Sequence, residues 1–120
     1  MTLSEVHARL ANAALLFFVA VSIWGYWRFF RKQSIDSGYW GALAIGEALL
    51  LVQSALGLYL FLTGLRPDRG VHILYGVVVL MVIPGVYMYT RGRDDRPEGL
   101  IYATLTLITA GLVLRAITTA

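Results

Sequence analysis

An all-α, integral membrane four-helix bundle of up-and-down topology is what this sequence predicts, and three observations predict it. Of its 120 residues, 58% are hydrophobic and only 14% charged, where a soluble domain of this size carries about 25% charged residues. The apolar residues fall into four long runs, 7–30, 39–63, 72–90 and 98–118, each near the roughly 20 residues that cross a hydrocarbon core about 30 Å thick. The connections 31–38, 64–71 and 91–97 are short, so sequential helices run antiparallel. Backbone polar groups must be satisfied internally in lipid, which makes each run a helix rather than an open strand.

The first run follows "MTLSEVHAR". That leader is not cationic and the apolar stretch exceeds a signal-peptide core, so the run is expected to remain as a membrane helix. Helix two begins near Tyr39 and carries Glu47 and Gln53. Helix three begins at His72 and contains Pro84-Gly85; proline frees the carbonyl four residues back, at Leu80, and should kink the helix. The loop "RGRDDRPE" leads into helix four, with Pro97 suited to its first position. No repeat or low-complexity tract marks a second unit, and residues 1–120 read as a single domain.

Zero cysteines exclude thiolate metal sites, iron–sulfur clusters and covalent haem attachment. A net charge of +3 and a pI near 9.5 do not point to nucleic acid, because the basic residues sit at helix ends. Arg28, Arg31 and Lys32 follow helix one, and Arg91, Arg93 and Arg96 lie between helices three and four. At the other end are Arg9, Arg66, Arg69 and Arg115. The positive-inside rule puts the set of six in the cytoplasm and both termini outside a plasma membrane. Trp24, Tyr26, Trp27, Tyr39, Trp40, Tyr87 and Tyr89 then form an aromatic belt at the inner interface.

The chain has two histidines, His7 and His72, each expected to open a helix. Helices one and three run parallel, so both imidazoles share one depth, and in a four-helix bundle these helices are diagonal partners. Two imidazoles so placed can clamp a metal. One or two turns below His7 come Ala11 and Ala14, and one turn below His72 comes Gly76, on the same helix faces. Small residues there give a flat macrocycle room. A lone ion would want more ligands than two, whereas haem needs only two axial ligands from protein. The expected cofactor is therefore haem b, with His7 and His72 on the iron. Arg9, Arg69 and Arg115 are the candidate partners of its propionates. A histidine at a helix end can equally bond headgroups or backbone; the pairing of two at one level favours haem.

On helix two, Ala42, Gly46, Gln53, Gly57 and Gly64 share a stripe of small and amide side chains. It serves close helix packing or lines the haem edge. Glu47 lies about 12 Å up helix two at 1.5 Å per residue; it pairs with a snorkelling Arg28 or is protonated. No nucleophile with a base, phosphate-binding loop or pair of catalytic carboxylates is present, so no catalytic residue is assigned.

"HARLANAALLF", "LLLVQSALGLYLFLTGL" and "HILYGVVVL" resemble one four-helix half of the haem A synthase family over residues 5–83. In that family a histidine opens one helix, the next carries Gln-x-x-x-Gly, and a second histidine opens the helix after it. The corresponding residues are His7, Gln53 with Gly57, and His72. The resemblance implies bis-histidine haem ligation near the outer face. Full-length members carry two halves, and this chain has one histidine pair. The expected function is thus a membrane haem protein in electron transfer or haem handling. A cofactor-free accessory subunit of a larger respiratory or photosynthetic complex is the alternative. Haem A synthase activity would need a homodimer or another partner to supply the second half. The lipid bilayer is the surrounding partner in every case.

Overall fold

The computed structural model describes residues 2–64 and 70–119. Its helices are α1 (Leu3–Phe30), α2 (Ser37–Leu62), α3 (Val71–Thr90) and α4 (Arg96–Thr119). There are no strands among the described residues. All four helices are long and apolar enough to cross a membrane, and the molecule measures 48 × 25 × 20 Å. This is the expected all-α four-helix architecture of a multi-pass membrane protein.

Several helix ends differ from the sequence expectation by one to four residues. α4 starts at Arg96, which makes Pro97 its second residue rather than its first, and the starts of α1 and α2 move for local reasons. α1 starts at Leu3 rather than at His7, because Thr2 and Glu5 form a capping box. The Thr2 hydroxyl accepts from the Glu5 N–H at 3.2 Å, and the Glu5 carboxylate accepts from the Thr2 N–H at 3.3 Å. Reciprocal capping satisfies two orphan donors and adds a turn ahead of the apolar run. His7 therefore lies in the second turn. α2 starts at Ser37 because the Asp36 carboxylate accepts from the Tyr39 N–H at 2.9 Å. Gly64, assigned to the small-residue stripe, lies past the end of α2 at φ +94°, where glycine is the least strained residue. α3 continues through Pro84, which sits on its exposed face.

α1 packs most extensively on α4 and the α2–α3 seam is the thinnest. α1 stands diagonally to α3, and α2 to α4. The α1–α4 seam is close because Gly25 faces Ala103: a Cβ at Gly25 would lie 2.8 Å from the Ala103 Cβ and 2.5 Å from the Tyr39 hydroxyl. Ser22 donates to the Ala103 carbonyl at 3.0 Å, and Tyr26 bonds Thr104 at 2.8 Å. The core is centred on Phe18, Leu43, Tyr39 and Tyr102, all at most 2% exposed. Tyr39 was expected in the aromatic belt but is buried, its hydroxyl donating to the Val21 carbonyl at 3.4 Å. Trp27, Tyr87 and Tyr89 are exposed at this end, as the belt requires.

The loops at this arginine-rich end are tied together. The Ile35 N–H donates to the Asp94 carbonyl at 2.9 Å, Arg96 Nε to Phe29 O at 3.1 Å, and Arg28 pairs with Asp36 at 3.2 Å. Arg93 pairs with the buried Glu98 at 2.8 Å.

Candidate functional site

His7 on α1 and His72 on α3 meet at the opposite end of the bundle. Their ring centres are 6.2 Å apart with planes at 76°. Diagonal helices bring them together from sites 65 positions apart in the chain, as the parallel run of α1 and α3 predicts. Both rings are half-buried.

α4 orients His72. Its Nδ1 lies 2.7 Å from the Ala116 carbonyl oxygen. A carbonyl only accepts, so Nδ1 carries the proton and donates, and Nε2 of the neutral ring keeps its lone pair. A backbone carbonyl bound through the second ring nitrogen is the usual support of a metal-ligating histidine, because it fixes both tautomer and ring orientation.

α2 positions His7 from the other side. The Gln53 amide donates to the His7 backbone carbonyl. Gly57 lies flat against the imidazole, and a Cβ there would come within 3.1 Å of Cε1 and 3.6 Å of Nε2. The missing side chain is what lets the ring occupy this place. Nδ1 of His7 and Oε1 of Gln53 are both buried without a hydrogen-bond partner among the described residues.

The other expected residues are distributed around this pair. Ala11 is half-buried one turn below His7, while Ala14 is 1% exposed and packed into the core cluster. Gly76 is half-buried, and a Cβ there would meet no atom of the described residues within 4 Å, so among them α3 leaves open space one turn below His72. Arg115 is exposed with its guanidinium 6.0 Å from the Tyr75 ring centre, beside the residue that anchors His72. Arg9 is exposed near His7 on α1. Arg66 and Arg69 lie outside the described residues. At mid-depth, Glu47 is not paired with Arg28, which is engaged by Asp36 and by the Ser34 carbonyl.

The sequence did not reveal Ala116, since it acts through a backbone carbonyl that every residue possesses. Nor did it reveal the hydroxyl side chains of α4. Thr106 and Thr109 are fully buried, and Tyr102 meets Thr90 at 2.9 Å. Their spacing of three and four residues was the available signal.

No family model matches the chain, and neither a curated protein nor a solved structure matches it. Among the described residues no group of three or more His, Cys, Asp or Glu side chains could hold a metal ion. The donor set at the site is two imidazoles, which suits a group bringing its own equatorial ligands.

A metal–imidazole bond of about 2 Å on each side sets two ring centres about 6 Å apart, which the observed spacing fits. Edge-to-face rings also pack at such distances. The His72–Ala116 bond is a feature that simple ring packing does not require. The residues present fit a bis-imidazole cofactor.

Proposed function

We propose that this chain is a plasma-membrane haem b protein in which His7 and His72 are the axial ligands, serving electron transfer or haem handling. The observation that carries this reading is the His7–His72 approach, with His72 held on the Ala116 carbonyl. In it, Ala116 fixes His72 so that Nε2 is the coordinating nitrogen, and Gln53 and Gly57 hold α1 and its imidazole at the right depth. Arg9 and Arg115 supply cations for the propionates at the rim, and Arg69, the third candidate from the sequence, lies outside the described residues. A haem held there by the two histidines would supply a one-electron couple.

The arginine-rich end carries Arg28, Arg31, Lys32, Arg91, Arg93 and Arg96, which supports its assignment to the cytoplasm and of both termini to the outside. The resemblance to one half of the haem A synthase family supports the same depth for the haem. A single half accords with haem binding better than with hydroxylation of a haem substrate.

Purification from haem-replete cells tests the reading. A red protein with about one haem per chain and sharp reduced α and β bands is the expected result. A folded, colourless preparation would refute it and favour a cofactor-free accessory subunit.

A further inference from the structure

Glu47 occupies a place that the haem reading does not use. It lies ten residues into α2, which begins at Ser37, or about 15 Å from the arginine-rich end at 1.5 Å per residue. The adjacent Gly46 packs on Phe18, where a Cβ would be 2.8 Å from the ring. Glu47 shares a face of α2 with the buried Leu43 and Leu50, four residues before it and three after. Its Oε1 is buried and has no hydrogen-bond partner among the described residues.

No charge neighbours it. Between Arg9 and Tyr26 on α1, Tyr39 and Tyr59 on α2, Tyr75 and Tyr87 on α3, and Tyr102 and Arg115 on α4, Glu47 is the only titratable side chain. An unpaired carboxylate ion in such surroundings is strongly disfavoured, and the group takes up a proton instead. An intramembrane carboxyl without a cationic partner is a proton site by chemistry.

The surroundings of Glu47 are asymmetric. Towards the arginine-rich end, hydroxyls stand among the apolar Phe18, Val21, Leu43, Ile83 and Leu105: Thr90 on Tyr102 at 2.9 Å, Tyr39 on the Val21 carbonyl, and Ser22 and Thr106 sharing the Ala103 carbonyl at 3.0 and 2.9 Å. Beyond Thr109, towards the histidines, the buried side chains of the middle are the apolar Ala14, Leu50, Val79, Ala110 and Val113, and the half-buried Gln53 and Ser54 are the polar groups of α2 on that side. On the neighbouring helix, Pro84 has no N–H to give the Leu80 carbonyl. That leaves an acceptor within the same central slab.

We propose that Glu47 is a mid-membrane proton-binding carboxyl that exchanges its proton with the arginine-rich face along these hydroxyls and is sealed from the histidine end. The site binds a proton rather than a metal cation, because no second carboxylate or imidazole lies at its depth. This inference does not depend on haem.

Dicyclohexylcarbodiimide, a lipid-soluble carbodiimide, reads the protonated form. The acid O–H adds across one N=C bond, oxygen to carbon and proton to nitrogen. An acyl shift to nitrogen then gives a stable N-acylurea, with no atom lost. The full-length protein would be labelled in proteoliposomes of single orientation, with the pH set separately on each face, and the adduct mapped by mass spectrometry. One adduct at Glu47 is expected, absent in Glu47→Gln. Its yield should fall by up to about tenfold for each pH unit by which the arginine-rich face is raised, the limit for one proton. Changing the pH at the histidine face should leave the yield unaltered. Thr106→Val should slow the response to a pH step without moving its end-point. A folded protein with no adduct at any pH would overturn the proposal. So would labelling that follows the histidine face, or that ignores the pH on both.

Discussion

The two ends of this bundle are built on opposite plans. At the arginine-rich end the loops are cross-linked by Arg28–Asp36, Arg96–Phe29 and Ile35–Asp94, and the α1–α4 seam is closed by Gly25, Ser22 and Ala103. Even there one acceptor, Oε2 of the buried Glu98, has no partner among the described residues. At the histidine end, two imidazoles meet across the diagonal, each backed by one side of the bundle. His7 Nδ1 and Gln53 Oε1 are left without partners among the described residues. The difference teaches that stability and ligand capacity are separated along the membrane normal. The closed end holds the helices in register, and that register brings the two rings together.

This separation predicts that substitutions at the two ends fail in different ways. The largest stability loss is expected at the closed end. Gly25→Leu puts a side chain where even a Cβ is 2.5 Å from the Tyr39 hydroxyl. Overpacking typically costs about 1–3 kcal/mol, and the upper part of that range or beyond is expected. Thermal unfolding in detergent micelles would measure it, and haem content should fall only in proportion to unfolded protein.

Gly57→Leu reverses that pattern. Its Cβ would press on the His7 ring at 3.1 Å, and the imidazole, near the membrane surface, can move aside. Haem per folded chain should drop severalfold while stability falls by about 1 kcal/mol, at the lower end of overpacking effects. A large loss of stability with haem retained would show that Gly57 serves packing alone.

Smaller effects compare two hydrogen bonds. Ser22→Ala and Gln53→Leu each remove one interhelical side-chain bond, an interaction that averages about 0.6 kcal/mol in membranes. Similar small shifts in unfolding are expected from both, but only Gln53→Leu should broaden or shift the haem bands. Smallest of all is Gly76→Ala, whose Cβ meets nothing within 4 Å and should leave both readouts unchanged. Gly76→Leu should lower haem content more than Val78→Leu, because Val78 is 40% exposed on the outside of α3. Equal pigment in those two variants would remove the open space at Gly76 from the account.

Much of the architecture was legible because lipid leaves a spanning chain few alternatives. Four apolar runs with short connections define four antiparallel helices, and helices one and three then run parallel. The level meeting of His7 and His72 follows from that alone. The start of α1 was misread by four residues because a capping box of polar residues adds helix that hydropathy does not register. Tyr39 was misplaced because a tyrosine two residues inside a helix end can face the belt or the core. The choice was made by the space at Gly25 on α1, the helix packed beside it. The Ala116 carbonyl has no sequence signature at all. The pairing of Gln53 and Gly57 with His7 was legible only as a stripe, whose partner helix required the packing to be known.

The ligand assignment is tested most directly by the spin state of the haem in His7→Ala and His72→Ala, measured by absorption and electron paramagnetic resonance with and without added imidazole. Each substitution removes one of two nitrogens, so each variant should become high-spin or lose pigment while remaining folded. Added imidazole should restore the low-spin spectrum in variants that keep haem. An unaltered low-spin spectrum in both variants would contradict the account and move the ligands away from His7 and His72.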